Sequence, residues 1–476
     1  MLSFSKEKYL LFAAIVVGLV LVVFWMVYNP VGDFHKSVPG MDDRPDSLVG
    51  SSQVVVIGEK FQRFANEDSP LKGKWSRFRG SDFDNINKEN IPLIDRFSEG
   101  KAEIKWKVDL GEGHAAPAIY NGKVYLLDYL EDEKADALRC FSLETGEELW
   151  RRSYSVHVKR NHGMSRTVPV VTDDFVLTIG PLGHVMCCHP VSGDLIWGLD
   201  MVKTYNTEIP FWYTGQCPLI DSGLAILAPG GTSLLVAVDC ATGKVVWETP
   251  NPDHWQMSHS SIMPMIINGK KMYVYAAVGG ICGVSAKGED AGDILWKFTD
   301  FAPNVVAPSP LIFPDGKIFM TAGYGAGSVL FQVSGYDKTF SAKGLQQFKP
   351  KEGMASEQQT AIYYDGHVFI ILPKDAGSNR NQLACCLPGD FTKILWTSGK
   401  KERFGLGPYI LADGKFFIVD DDGTLTIARA STKGFTVLDK KRIIEGQDAW
   451  GPIAIADGRL LMRDSKQMVC LDMRKH

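Results

Sequence analysis

A short phrase recurs along the chain and restricts its fold more than any other feature. It reads SLETGEELW ending at Trp150, PVSGDLIW ending at Trp197, CATGKVVW ending at Trp247 and EDAGDILW ending at Trp296. In each copy a glycine stands four residues before the tryptophan, at Gly146, Gly193, Gly243 and Gly292, between apolar β-prone runs. Small polar residues and a glycine able to take positive φ make a tight turn. Each phrase therefore predicts a hairpin whose return strand ends in tryptophan.

These tryptophans are 47, 50 and 49 residues apart. Self-similarity at that period argues against one continuous core and predicts propeller blades or solenoid repeats. Degenerate copies follow: Gly344 before Phe348, Thr392 in the glycine slot before Trp396, and Gly434 before Leu438. A second phrase opens each repeat, as in APAIYNGKVYLL from Ala116 and MPMIINGKKMYV from Met263. It predicts an inner strand, a two-residue turn such as NG or DG, and a second strand. Eight such openings predict eight four-stranded antiparallel units. The last unit lacks a fourth strand, whereas EIKWKVDL around Trp106 is a fourth strand without a unit. Pairing the two closes the ring and removes its open edge. The expected fold is an all-β, eight-bladed β-propeller closed by an N-terminal strand; seven blades is the alternative if residues 310–348 do not form one.

Ahead of the repeats, residues 1–8 read as a short tail and 9–28 as a transmembrane anchor, an uncharged run long enough to cross a hydrocarbon core of roughly 30 Å. Its end in Phe, Trp, Met and Tyr, with no small-residue cleavage site, favours a retained anchor over a signal peptide. Trp25 and Tyr28 then stand at the interface. Lys6 and Lys8 precede the span and Lys36 and Arg44 follow it, so basic residues alone leave its orientation open. Residues 29–74 read as a linker in which SQVVVIGEKFQRFA forms a strand or short helix against the ring, and 75–476 as the propeller. The opener KWSRFRGSDFDNIN reads as a plug that packs Trp75 and Phe78 on the ring.

A net charge of −4 with no basic block disfavours nucleic acid as a partner. The nine cysteines include two adjacent pairs, Cys187-Cys188 and Cys385-Cys386. Counting six back from each turn glycine, or from Thr392, places Cys140, Cys187, Ala237, Cys386 and Ala428 in equivalent third-strand slots, with Cys470 alike in the last unit. A slot that alternates between Cys and Ala is a small buried position. Neighbours in an extended strand point to opposite faces, so the pairs are expected to be free thiols.

The opener WSRFRG (75–80), GHAAPAIYNGKVYLLD (113–128), LLVAVDCATGKVVWE (234–248) and the GDLIW and GDILW strand starts resemble the PQQ-binding-like β-propeller repeat family. That family includes bacterial quinoprotein alcohol dehydrogenases and the assembly lipoprotein BamB, so the resemblance implies the fold without fixing the chemistry. For the enzymes it implies a Cys-Cys disulfide over the cofactor, a Trp floor, and Glu, Asn and Asp around calcium. Both Cys-Cys pairs here fall within predicted strands, and no CxxCH haem motif is present. The chain also differs from BamB-like proteins in having an apolar span where they carry a lipidated Cys.

The long connections from each Trp-ended strand to the next inner strand emerge on one face, where a rigid scaffold tends to carry function. The candidate ligand or partner face there is Arg160, His162, Arg166, Trp212, Tyr213, Gln216, His254, Trp255, His259, Gln358, Arg403 and Trp450, together with His114, Gln359 and Gln447. Glu357 is the candidate general base or ion ligand. Trp106, Gly146, Trp150, Gly193, Trp197, Gly243, Trp247, Gly292, Trp296 and Trp396 are assigned to blade structure, and no metal site is assigned. Together these features predict a membrane-anchored, non-catalytic scaffold that binds an envelope protein or peptide on the periplasmic side and needs no cofactor. The alternatives are a PQQ- and calcium-dependent dehydrogenase acting on an alcohol or sugar, and a glycan or small-molecule sensor.

Overall fold

The structure is a computed structural model that describes residues 6–28, 55–98, 103–446 and 448–475. The chain divides into two units, one up to Val54 and one from Val55 onward. In the first, Lys6–Val27 form a single helix whose stretch Lys8–Val27 is apolar and exposed, enough for a membrane anchor or a signal sequence. Residues 29–54, most of the expected linker, lie outside the described residues.

The second unit is a ring of eight antiparallel sheets with at least four strands each. Blade 1 holds Ala118–Tyr120, Lys123–Leu130, Ala135–Ser142 and Glu148–Ser155. Blades 2 to 7 span 170–200, 219–250, 263–298, 311–348, 362–397 and 409–442. Blade 8 takes three strands from 454–472, and its fourth is Ile104–Asp109, with Trp106 opposite Cys470. The expected closure is therefore formed, and 311–348 is a full blade. The openings turn as the NG and DG pairs require: Asn121-Gly122, Asn268-Gly269, Asp413-Gly414 and Asp457-Gly458 all have positive φ at both residues.

The apolar core lies between neighbouring blades. One cluster joins Val170, Leu177 and Trp197 of blade 2 to Ile220, Ala225 and Val236 of blade 3, and similar clusters run round the ring. The recurring phrase is the unit of this packing. A Cβ built on Gly146 would meet the Trp106 ring at 2.5 Å, on Gly193 the Trp150 ring at 2.8 Å, on Gly243 Trp197 at 2.8 Å, and on Gly292 Trp247 at 3.0 Å. Each turn glycine thus seats the tryptophan of the preceding blade. The Trp106 and Trp197 indoles also donate to the carbonyls of Leu143 and Cys240 beside those turns, at 3.0 and 2.8 Å.

All nine cysteines are free and buried. Cys140, Cys187, Ala237 and Cys470 stand opposite the blade tryptophans, as a small-residue slot requires. In blade 6 the residue opposite Trp396 is Cys385, not Cys386. The connection there is one residue longer than in blades 1 to 3, so counting back from Thr392 lands one position late.

Strand alternation puts the second-to-third-strand turns and the interblade connections on one face of the ring. The segment Lys74–Asn87 runs along the inner ends of the blades beneath that face. Lys74–Trp75 pair with the inner strand of blade 1 and Ile86–Asn87 with that of blade 7. Between them, Arg79 donates to the carbonyls of Thr360 and Ala361, and the Val171 amide donates to the Ser76 carbonyl. Lys60–Arg63 add a further strand to the outer edge of blade 1.

Candidate functional site

The central funnel ends in a cavity of about 310 Å³ whose lining includes Phe78 of the crossing segment. His114, His162, Arg166, Trp212, His259, Glu357, Gln358, Gln359 and Trp450 also line it, all from interblade connections. Tyr324 and Lys374 join them from the turns of blades 5 and 6.

One wall is a relay of contacts. Trp212 stacks on Tyr324 with ring centroids 5.7 Å apart and planes 8° apart. Lys374 Nζ lies 5.2 Å above the Tyr324 ring and donates to Glu357 Oε1 at 2.9 Å. The Glu357 side chain is only 8% exposed, and Gly323 allows this approach because a Cβ there would meet Glu357 Cγ at 2.6 Å. On the other side His114 stacks on Trp450, centroids 4.7 Å apart, and its Nδ1 has no hydrogen-bond partner.

Arg166 is the central charge. Its Nε donates to the Trp212 carbonyl at 2.5 Å, and its Nη2 to the carbonyls of Asn161 and His162 at 2.9 and 2.8 Å. Burial holds its pKa down to about 10, still cationic at neutral pH. Burial and then the Arg166 charge push His114 down to about 3 and His259 to about 4, so both imidazoles are neutral.

The other expected face residues lie away from the cavity. Gln216 is buried and clips blade 3 through the amide and carbonyl of Ala228, at 2.9 and 3.0 Å. Trp255 is buried against Gly279 and Gly280, while His254 is exposed on the preceding turn. Arg160 pairs with Glu112 at 2.6 Å, Tyr213 donates to the Lys159 carbonyl, and Arg403 caps the carbonyls of Lys400, Arg380 and Ser378. Gln447 lies outside the described residues. Tyr324 and Lys374 are not among the residues expected from sequence, since they lie on turns within blades and not on the interblade connections. A non-glycine residue at positive φ marks Tyr324, with φ 55°.

The resemblance to quinoprotein dehydrogenases implies a quinone and calcium in the funnel. Calcium takes six to eight oxygen ligands, yet among the described residues Glu357 is the sole carboxylate lining the cavity, and it is held by Lys374. Among the described residues no group of three His, Cys, Asp or Glu side chains is placed to hold a metal. Cys187 and Cys188, like Cys385 and Cys386, are buried within third strands rather than set in a loop over the funnel. These residues do not fit a quinone held by calcium under a Cys-Cys bridge.

Comparison with known proteins agrees with the fold. A 191-residue stretch is 27% identical to the quinoprotein alcohol dehydrogenase PedH of Pseudomonas putida, covering 38% of this chain and 30% of that protein. The quinohemoprotein alcohol dehydrogenase of Comamonas testosteroni superposes with a TM-score of 0.57 at 11% identity, over 85% of this chain and 81% of that one. BamB of Moraxella catarrhalis superposes with a TM-score of 0.51 at 11% identity, over 79% and 98%. The family model described as outer membrane protein assembly factor BamB matches residues 97–228, 134–297 and 181–338. With eight closed blades, four of them carrying the full Gly-Trp phrase, this chain belongs to that family of PQQ-like repeat propellers.

Proposed function

We propose that this protein is a membrane-anchored, non-catalytic propeller that binds an envelope protein or peptide through its funnel face. In this reading residues 9–28 anchor the chain, 29–74 link the anchor to the ring, and the propeller works on the extracytoplasmic side. The observation that carries it is the state of Glu357. The one carboxylate among the described residues of the lining is paired with Lys374, while aromatic rings, hydrogen-bonding side chains and aliphatic groups supply the rest. Such a surface is suited to recognition, with that carboxylate already engaged.

The test uses the full chain in its membrane. A photo-crosslinking residue at 212 or 324 is expected to give a discrete adduct, and one at Val246, exposed on the outer strand of blade 3, to give none. The chain is expected to resist alkaline carbonate extraction. The quinoprotein reading has the 27% identity to PedH in its favour, and the purified chain titrated with PQQ and calcium tests it. Stoichiometric binding with turnover of an alcohol or sugar would replace the scaffold reading.

A further inference from the structure

The structure supports a narrower statement about what the funnel receives, one that rests on reading the funnel as the binding site. We propose that it takes a carboxylate carried beside a flat ring, with the guanidinium of Arg166 receiving the charge and Trp212, Tyr324 and Phe78 bounding the ring.

Three buried or largely buried arginines surround the channel, and comparing them isolates Arg166. Arg79 donates from Nε, Nη1 and Nη2 to the carbonyls of Phe83, Thr360 and Ala361. Arg463 likewise uses all three nitrogens, on the carbonyls of Asp464, Ala115, Gly111 and Ser465. Both tie chain segments together with every nitrogen engaged. Arg166 uses Nε and Nη2 and leaves Nη1 without a partner among the described residues. It also lines the cavity and, among the described residues, has no carboxylate within ion-pair distance. Two carboxylates in its surroundings are already committed: Glu112, which acts on its charge, to Arg160, and Glu357 of the same cavity to Lys374. A partly buried guanidinium neutralised by none of the described side chains favours an incoming anion, and its planar fork matches a carboxylate.

The surroundings reject the other classes of occupant. A cation would meet Arg166 with no free carboxylate to receive it. A neutral sugar could lie on the aromatic walls but would leave the charge unmatched. His114 and His259 are neutral beside the guanidinium, so they can hydrogen-bond an anion without adding charge. A cavity of about 310 Å³ is at the small end for ligand sites, enough for one ring and its acid group but not a folded domain. The carboxylate is therefore either the end of a polypeptide or part of a free aromatic acid.

The test titrates the full chain in detergent micelles with N-acetylphenylalanine and with its neutral amide, read by calorimetry and tryptophan fluorescence. The acid is expected to bind saturably and at least about tenfold more tightly than the amide, and acetate, which lacks the ring, at least about tenfold more weakly than the acid. Arg166→Gln is expected to bring the acid-to-amide ratio close to one. Because Arg166 also holds three carbonyls, Arg166→Lys is measured beside it; it keeps the charge and loses the fork, so the ratio should fall part of the way. Trp212→Ala should weaken acid and amide alike and leave their ratio unchanged. A tripeptide ending in phenylalanine that outbinds the single residue assigns the carboxylate to a polypeptide end; equal binding by benzoate assigns it to a free acid.

Equal affinity for acid and amide, no saturable binding of any of these acids, or full discrimination in a folded Arg166→Gln protein would overturn the proposal. Crosslinked adducts at 212 or 324 that persist alongside such a result would leave the scaffold reading standing and remove only the carboxylate. PQQ turnover would remove the scaffold reading itself.

Discussion

Trp212 and Tyr324 are stacked with their rings 8° from parallel, although one follows blade 2 and the other lies within blade 5. The contact joins blades that are not neighbours, so it reports on the geometry of the funnel mouth and not on the packing of any one blade. A double-mutant cycle of Trp212→Ala and Tyr324→Ala is expected to give a coupling energy of about 0.5–1.5 kcal/mol by chemical unfolding. A cycle that sums to zero would mean the rings do not interact in solution.

Gly193 and Gly223 separate two costs that usually arrive together. Both hold left-handed φ, 73° and 79°. A Cβ on Gly193 would enter the Trp150 ring at 2.8 Å, whereas one on Gly223 meets nothing within 4 Å. Gly223→Ala is expected to lose about 1–2 kcal/mol from backbone strain alone, and Gly193→Ala about 1–3 kcal/mol more from overpacking. Urea midpoints at unchanged slope would measure the difference; equal losses would show that the glycine–tryptophan seat is not a close contact.

Asp136 gives the stability a pH dependence of known sign. Burial raises its pKa from 3.8 to about 7, against the opposing hydrogen bond from Tyr154 Oη at 2.7 Å. Between those two values the folded chain holds a proton that the unfolded chain has lost. Its contribution to stability therefore falls as pH rises from about 4 to 7, by up to about 1.4 kcal/mol per pH unit, and is level above that. Asp136→Asn should gain on the parent protein across this window. Unfolding free energies of both proteins at pH 5 and pH 8 supply the check, and a constant difference would contradict the assignment.

The buried thiols make a chemical prediction. None of the nine cysteines is exposed, and burial raises the pKa of Cys188, Cys282, Cys385 and Cys470 to about 12, and that of Cys217 to about 11. The thiolate is the reactive form, so a disulfide-exchange reagent should label no thiol in the native chain and all nine in denaturant. Melting should be unchanged by reductant. Fast native labelling of Cys187 or Cys385 would show that those strands open.

The blade count was legible because its signal is also the packing unit. A glycine that must seat a tryptophan cannot drift far, so the phrase survives at Gly146, Gly193, Gly243 and Gly292 even where the flanking residues change. The NG and DG turns were legible for a similar reason, since few residues accept two successive positive φ values. The funnel was legible only in part. Arg166, Trp212 and Glu357 sit on long interblade connections, whereas Tyr324 sits on a four-residue turn within a blade like most others, and Lys374 on the one such turn that is long, residues 372–382. Their importance comes from contacts across the ring, which periodicity does not encode. The value of Arg166 depends on which of its nitrogens the fold has left unused, and only the assembled loops decide that.

The pairing of Ile104–Asp109 with Gln467–Asp472 makes the ring's clasp from the two ends of the repeat region. During synthesis the first half of that clasp emerges before any complete blade and must wait for its partner until the last is made. Through that interval two unmatched sheet edges are exposed, and each is a template for pairing with a stranger. Shutting the clasp removes both edges together, so a chain that stalls before blade 8 is left with open edges that mark it as unfinished.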